Sequence, residues 1–290
     1  MLVSSRFVLV PRSRIRLAFA FTLAIFAAAC GGNDRDAHGN AAPPRQGAST
    51  SGTTPGGEVV IRPSKPAYSA SAVAAPGTVS GTVTFTGPVS SVASTSAGPS
   101  SALCGAAIPD ESVQQQGSGL AFAVVWLDGV RSGKPLPFER RLELESDQCR
   151  LKPRVQATVV GSAINVLGHD FFRQHLSWSA RGESKPRVIV LLGQDEQVIP
   201  TELPARAPGL VEVTDRDHPW PRAYLAVFDH PYFAVTSANG AFTIDGVPPG
   251  KYTLRAWHER AAPYSQPVEV VAGRAATISV PLAQSRSSAR

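Results

Sequence analysis

The sequence has little of what several common functions require. It contains three cysteines with no Cys-x-x-Cys pair to bring two thiolates to one metal, and no Gly-x-Ser-x-Gly segment to present a serine nucleophile. No run of Lys and Arg with interleaved aromatic residues occurs, which argues against a nucleic-acid partner. No convincing amphipathic helix is present, and aromatic residues make up only 7% of the chain. These gaps favour a β-rich protein.

Turn-forming residues and alternating apolar stretches are abundant instead. Glycine and proline number 25 each, and a hydrophobic fraction of 43% suffices for a core. Alternation with period two predicts strands. The predicted strands lie at 77–87, 120–130, 141–146, 154–168 (two strands around Gly161), 187–193, 209–215, 222–228, 232–259 and 267–282. The sequence therefore predicts an all-β fold of one sandwich or two fused ones.

Two turns are predicted near the end of the chain. Asn239-Gly240 stands between alternating stretches and favours a two-residue type I′ hairpin. Ala272-Gly273 is predicted to join a final pair of strands. A Ser-rich stretch at 90–102 is predicted to be a loop.

The first 29 residues have the organisation of a signal peptide. Four arginines precede the apolar run 17–29, which falls short of the roughly 20 residues that a membrane span needs. Export would remove those four positive charges from the formal total of +6 and leave about +2. The high isoelectric point therefore gives no support to nucleic-acid binding.

Small residues before Cys30 and Gly31 after it resemble a bacterial lipobox, although Ala27 stands where Leu is usual. The resemblance implies cleavage before Cys30 and acylation of that residue, which would attach the protein to a membrane. Because Gly31 is not Asp, the periplasmic face of the outer membrane is the expected location. The alternative is an ordinary signal peptide and a free cysteine.

The segment 30–75 is rich in Gly, Ser, Thr, Pro and Ala and is predicted to be a disordered tether. Beyond it, Cys104 and Cys149 would meet an oxidising compartment after export, so a disulfide closing a 45-residue separation is predicted. The alternative is that the two thiolates bind a metal.

The stretches SANGAFTIDGVPPGKYTLRAWHE, at 237–259, and PVEVVAGRAATISVPL, at 267–282, resemble the carboxypeptidase regulatory-like domain. That domain is a small Greek-key sandwich found as an accessory module in exported proteins. The resemblance implies such a module over 229–283, followed by a short tail at 284–290.

A larger part of the chain, about 77–260, resembles bacterial exported proteins that fuse a cupredoxin-like sandwich to that module. The segments that carry the resemblance are DQCRLKPRV at 147–155 and DHPYFAVT at 229–236, in the same order as in those proteins. The implied cupredoxin-like Greek-key sandwich occupies 76–228.

The resemblance also implies where copper ligands would stand. Aligning His-Pro-Trp places His218 on the second histidine ligand, while Asp215 falls at the cysteine position and Pro221 at the methionine position. In the first loop Gln174 falls at the first histidine, with His175 beside it. A blue-copper centre needs the thiolate, so no cofactor is expected. The alternative is a two-histidine, one-carboxylate site of His175, His218 and Asp215 for copper or zinc.

Further polar and aromatic residues are candidates for a ligand surface. His230 and His258 flank the strands at 232–259, and Trp178 and Trp220 stand in loops near histidines. Each could equally be a packed residue. No pair of carboxylates is fixed at a defined separation, which argues against an enzyme.

The expected function is a structural or binding module at the periplasmic face, with a degenerate blue-copper site and a polysaccharide or a periplasmic protein as its expected partner. One alternative is divalent-metal binding or electron transfer. The other is carbohydrate or cell-wall binding through the loop tryptophans.

Overall fold

The computed structural model describes residues 60–87, 94–180, 185–193, 195–198 and 205–285. The predicted signal peptide, Cys30 and the tether up to residue 59 lie outside the described residues. Across the described ranges, no helix is long and apolar enough to cross a membrane.

The described part of the chain forms 22 strands, a 3₁₀ turn at Gly98–Ser100 and one short helix, α1, at Ser101–Cys104. The strands are β1 Ser69–Ala70, β2 Gly77–Thr86, β3 Ser94–Ser96, β4 Ala107–Pro109, β5 Gln115–Gln116, β6 Gly119–Leu120, β7 Val124–Asp128, β8 Ser132–Gly133, β9 Arg141–Asp147, β10 Arg150–Lys152, β11 Val155–Val159, β12 Ala163–Gly168, β13 Gln174–Ala180, β14 Arg187–Leu191, β15 Glu196–Val198, β16 Gly209–Asp215, β17 Arg222–Phe228, β18 Phe233–Val235, β19 Ala241–Val247, β20 Gly250–Trp257, β21 Tyr264–Val270 and β22 Ala275–Ala283. The all-β prediction is confirmed.

Four sheets carry the architecture. Sheet 1 has the order β19-β2-β6-β5, with β22 also pairing to β2, and sheet 2 has the order β18-β7-β20-β21. Sheet 3 has the order β11-β17-β16-β13-β14, and sheet 4 has the order β10-β9-β12-β15. One apolar core lies between sheets 1 and 2, and a second lies between sheets 3 and 4. The molecule therefore contains two sandwiches.

Strand β7 shows how sheet 2 is buried on both faces. Its Val125 and Leu127 belong to the core between sheets 1 and 2. Its Val124 and Trp126 point the opposite way, into a third apolar cluster that includes residues of sheet 3. Since neighbouring side chains of a strand alternate between faces, a run that is apolar at every position indicates burial on both sides.

Strand β17 plays the same part in sheet 3. Leu225 and Val227 pack in the core with sheet 4, whereas Tyr224, Ala226 and Phe228 pack in the cluster shared with sheet 2. Each fully buried large apolar side chain contributes roughly 1.5–3 kcal/mol. The two sandwiches are thus joined by an apolar interface rather than by a linker.

The Asn239-Gly240 turn does not form the predicted hairpin. Strand β18 before it pairs with β7 in sheet 2, while β19 after it pairs with β2 in sheet 1. Gly240 has φ +79°, but Asn239 is not in the left-handed region, so the turn is not type I′. A Cβ on Gly240 would lie 2.3 Å from the Val83 carbonyl oxygen, which explains the glycine. The turn carries the chain between sheets.

The Ala272-Gly273 turn behaves in the same way, because β21 pairs with β20 and β22 pairs with β2. The predicted pairing of these two strands is therefore wrong. In both places the local turn signal was correct, but it marks a crossing between the two layers of the sandwich.

A tight hairpin with two left-handed residues does occur at Gln148-Cys149. Their φ values are +52° and +63°, and the flanking Asp147 and Arg150 are paired between β9 and β10. Two non-glycine residues in this region are uncommon and need local support. The contacts that supply this support belong to the site described below.

The predicted tether is ordered at its C-terminal end, which corrects the expectation for residues 60–75. Ile61 is buried in the cluster between the sandwiches. The Ser64 N–H and hydroxyl donate to the two carboxylate oxygens of Asp229 at 2.6 and 3.0 Å. The Tyr68 hydroxyl donates to the Lys134 carbonyl at 2.5 Å. Apolar burial and these hydrogen bonds offset the ordering cost that composition alone suggested.

The stretch 94–102 also has more structure than the predicted loop, since β3 pairs with β4 and is followed by the helical turn that ends at Cys104. The strand pairing also does not follow the predicted boundary between the two domains at 228/229. Strands β2, β6 and β7 share the sandwich of β18–β22, so that sandwich draws on both ends of the described chain. The boundary between domains stays a prediction.

Candidate functional site

Asp215 organises its own loop, which the sequence resemblance aligns with a copper-binding loop and in which Asp215 occupies the cysteine position. It ends β16, and its side chain is fully buried. One carboxylate oxygen accepts hydrogen bonds from the backbone N–H groups of His175 and Asp217, both at 3.1 Å. The other oxygen lies 2.6 Å from Nδ1 of His218. Both oxygens are therefore used to hold the loop together.

His175 faces a different carboxylate. Its Nδ1 forms a short contact with Asp217, and this hydrogen bond, with the charges of His175 and His218, lowers the pKa of Asp217. Among the described residues, no group of three or more His, Cys, Asp and Glu side chains is placed to hold a metal ion. His175, His218 and Asp215 do meet in one loop region, but through hydrogen bonds and not as a convergent ligand set. The metal site stays a prediction that this geometry does not favour.

The disulfide Cys104–Cys149 is present, with the two Cα atoms 5.6 Å apart. It links the end of α1 to the left-handed turn between β9 and β10. Buried Asp170 supports the same turn, because its carboxylate accepts the Cys149 N–H at 2.9 Å and the Ser146 hydroxyl at 2.8 Å. The bridged thiols cannot serve as copper ligands, so these residues do not fit a blue-copper centre.

An aromatic row connects the Asp215 loop to the disulfide. The rings of Phe172 and His218 lie 4.8 Å apart in an edge arrangement, and the His218 and Trp220 rings lie 5.1 Å apart. Phe172 and Trp220 both pack on the small buried cluster that contains Cys149. The hydrogen-bonded loop and the disulfide thus fix the position of Trp220.

Trp220 forms part of the wall of a cavity of about 220 Å³, here called the Trp220 cavity. Segments from both sandwiches and from the connection at 95–112 line it. Its lining residues are Thr95, Ile108, Pro109, Asp110, Glu111, Ser112, Arg154, Pro219, Trp220, Arg222, Glu259 and Arg260. The wall therefore combines one aromatic ring with three arginines and three carboxylates.

A buried ion pair between Arg154 and Glu259 forms part of the cavity lining. Arg154 Nε and Nη2 donate to the two carboxylate oxygens of Glu259 at 2.5 and 2.9 Å. Burial disfavours the charged guanidinium, but the hydrogen bonds and charge of Glu259 outweigh it and raise the pKa of Arg154. Burial and the negative charges of Glu259 and Glu212 raise the pKa of Tyr224, whose hydroxyl lies beside both. The bidentate pair ties the start of β11 to the end of β20.

The other charges of the wall are unequal in their pairing. Arg222 pairs with Glu212 at 3.2 Å, and Glu111 pairs with Arg150 at 2.6 Å. Arg260, in contrast, makes no ion pair within the described part of the chain, and its buried Nε has no hydrogen-bond partner there. The buried indole Nε1 of Trp220 also lacks a partner among the described residues. Two residues that line the cavity thus each carry a buried N–H donor with no partner in the described ranges.

His230 and His258 were candidates for a ligand surface, and the structure corrects this. Both are buried, and each ring accepts a backbone N–H through Nδ1 at 3.2 Å, from Tyr232 and Arg260 respectively. Burial lowers the pKa of His230. Burial, together with the charges of Arg154 and Arg260, lowers the pKa of His258 to about 4. Both are neutral packing residues at neutral pH.

Trp178 was the other surface candidate, and it is buried in the core between sheets 3 and 4, because β13 turns it inward. Trp220 alone of the four candidates lines the cavity. Sequence reasoning missed Arg154, Arg222 and Arg260 as members of one site. Arg154 and Arg222 stand at strand starts after a proline, and Arg260 follows Glu259 beyond the end of β20, but only the fold shows that these segments meet.

Residues 209–283 match the family model of the carboxypeptidase regulatory-like domain. The resemblance that the sequence suggested over 229–283 is thus confirmed, with the match beginning earlier, at Gly209. The matched segment includes β16 and β17 of sheet 3 as well as β18 to β22. The chain is therefore an all-β protein with a carboxypeptidase regulatory-like domain in its C-terminal part.

Among solved structures, the Cu-containing nitrite reductase (NirK) from Thermus scotoductus SA-01 is similar to this chain at 20% sequence identity with a TM-score of 0.27. The similarity covers 34% of this chain and 24% of that chain, or about a quarter of the enzyme's length. A TM-score this low carries no argument about copper or activity. No curated protein matches the chain.

Proposed function

We propose that this protein is a non-enzymatic binding module, exported and held at the periplasmic face of the outer membrane by an acylated Cys30, that binds a polysaccharide of the cell envelope. The Trp220 cavity is the observation that supports this function. An indole ring offers a flat apolar face for a sugar ring, and the surrounding guanidinium and carboxylate groups match the hydroxyls around that ring.

The size of the cavity supports a small terminal unit as the bound part. Its 220 Å³ is below the roughly 300–1,000 Å³ of most small-molecule sites. One sugar residue of a longer chain therefore fits better than an extended oligosaccharide. The disulfide and the Asp215 loop hold Trp220 in place before the ligand arrives, which reduces the ordering cost of binding.

The chemistry of the wall supports binding over catalysis. Glu259 is committed to a bidentate pair with Arg154, so its carboxylate is not free to take up or deliver a proton in a reaction. Glu111 is likewise paired with Arg150. Groups held in this way position hydrogen bonds to a ligand rather than exchange protons with it.

The first experiment tests retention on polysaccharide. The mature chain from Asn33, which keeps every described residue, is mixed with insoluble peptidoglycan and with a panel of insoluble polysaccharides. We expect retention on at least one of them and a loss of about tenfold or more in affinity in Trp220→Ala, because Trp is a typical anchor of binding sites. Phe138→Ala is the control, since Phe138 is 99% exposed and outside the cavity. Retention that is equal in both variants would contradict the assignment.

A further inference from the structure

We infer that the sugar bound in the Trp220 cavity is an acidic one, whose carboxylate is received by Arg260. The inference rests on the proposed function, because it names the chemical class of the ligand at the same site. The observation behind it is the uneven pairing of the charges in the cavity wall.

Within the ranges that the structure describes, donors, and not acceptors, are the polar atoms left without partners at the cavity wall. The unpartnered buried polar atoms of the cavity residues are Arg260 Nε and Trp220 Nε1, and both are N–H donors. Arg150, which pairs with the lining residue Glu111, also has a buried Nε without a partner in the described part of the chain. These nitrogens have almost no accessible surface, but Arg260 as a whole is only half-buried, so a ligand in the cavity would meet the outer nitrogens of its guanidinium, where acceptor oxygens are favoured.

Arg260 is the guanidinium of the wall that is available for an anion. Arg154 is held by Glu259 and Arg222 by Glu212, whereas Arg260 makes no ion pair among the described residues. A guanidinium presents a planar fork that matches a carboxylate, and the charge-assisted bond is stronger than a neutral one. A neutral sugar has no carboxylate to pair with this guanidinium.

The same wall disfavours a multiply charged group such as phosphate. Asp110 lies near Arg260, and its pKa is lowered: burial acts against the charged form, but hydrogen bonds from Ser112 and the charges of Arg260 and Arg154 prevail. The ionised Asp110 repels a dianion and accepts a hydrogen bond from a hydroxyl. A sugar acid supplies both groups, with its carboxylate toward Arg260 and hydroxyls toward Asp110.

The test compares two matched ligands by calorimetry on the mature chain. A tetrasaccharide of a hexuronic acid is titrated against the corresponding neutral hexose tetrasaccharide, each at low and high salt. We expect the uronic acid to bind about tenfold tighter or more at low salt, and the difference to shrink as salt screens the charge. Equal affinities for the two tetrasaccharides would overturn the inference.

Variants of Arg260 separate charge from folding. Arg260→Gln should lose the preference for the uronic acid, while Arg260→Lys should keep part of it because the positive charge remains. Arg274→Gln is the control, since Arg274 is exposed and does not line the cavity. A preference that survives in Arg260→Gln, with circular dichroism unchanged, would overturn the role of Arg260.

Three further outcomes distinguish the sources of failure. If inorganic phosphate or sulfate displaced the acidic tetrasaccharide and acetate did not, the assignment of a carboxylate as the group bound by Arg260 would be overturned. Retention on polysaccharide with no preference for the acidic tetrasaccharide would end this inference and leave the proposed function standing. Loss of retention on every polysaccharide tested would instead remove the proposed function, and the inference with it.

Discussion

At the scale of single residues, chemical type proved a weaker guide than position in a strand. His230, His258 and Trp178 carry groups that bind ligands in other settings, but here strand direction and packing bury them. Trp220 was predictable as a candidate because it stands in a loop between two prolines. Arg260 was not, because its importance follows from having no ion-pair partner among the residues that the structure describes, and the sequence alone cannot show this.

The buried His258 predicts a pH-dependent stability. Its pKa falls from 6.5 in the unfolded chain to about 4 in the folded protein, so the unfolded state binds a proton first as pH decreases. Its contribution to stability is complete above pH 6.5 and is lost as the pH falls from 6.5 to 4, by roughly 3 kcal/mol at most.

Urea unfolding between pH 7.5 and 4 measures this loss. The variant His258→Asn keeps an acceptor for the Arg260 N–H and removes the titrating ring, so its stability should fall less steeply over that range. His230 titrates in both proteins and cancels in the comparison. Identical pH slopes in the two proteins would rule out the assignment.

At the scale of elements, the alternating patterns located most strands, including the two around Gly161, but they did not identify strand partners. The Asn239-Gly240 signal predicts a turn in either case, and only the pairing of β18 with β7 and of β19 with β2 shows that the chain crosses between sheets there. The left-handed hairpin occurs instead at Gln148-Cys149, where no glycine marks it. Long-range pairing therefore decided what local preference could not.

The disulfide is the device that stabilises this hairpin, and its removal is a test at the same scale. The double variant Cys104→Ala/Cys149→Ala should lower the free energy of unfolding by about 3–4 kcal/mol, because the bridge spans 45 residues of sequence. Guanidinium unfolding of the mature chain measures the change. Labelling of both thiols in the native, unreduced protein would contradict the bridge itself.

At the scale of the whole molecule, the two sandwiches share an apolar interface centred on Phe228. Its ring stacks on Phe233 at 4.6 Å and lies 5.7 Å from Trp126, and Arg154 and Glu259 pair beside this interface. The sequence showed that β7 is apolar from Val124 to Leu127 and that β17 is apolar from Ala223 to Phe228. It did not show that their second faces pack on each other, because either could have been covered by a different element.

Removing the Phe228 ring should weaken the whole fold and not one sandwich alone. Phe228→Ala is expected to cost about 3–5 kcal/mol, since the side chain is 1% exposed. We also expect the single unfolding transition of the parent to separate into two, measured by calorimetry. The matched change Phe138→Ala, on a fully exposed ring, should stay within about 0.5 kcal/mol. A single, unshifted transition in Phe228→Ala would show that the Phe228 ring is not what holds the two sandwiches together.

Under the proposed attachment to a membrane, the contacts of Ser64 and Ile61 limit how far the folded protein can lie from that membrane. If Cys30 is the point of attachment, about 30 residues precede the ordered chain at residue 60, and a fully extended chain of that length covers at most about 100 Å. If the free segment had extended to residue 75, the maximum reach of the extended chain would have been about half as long again. Under the proposed attachment, residue 60 would stay within about 100 Å of the membrane, and the Trp220 cavity would meet only ligands that come near that layer.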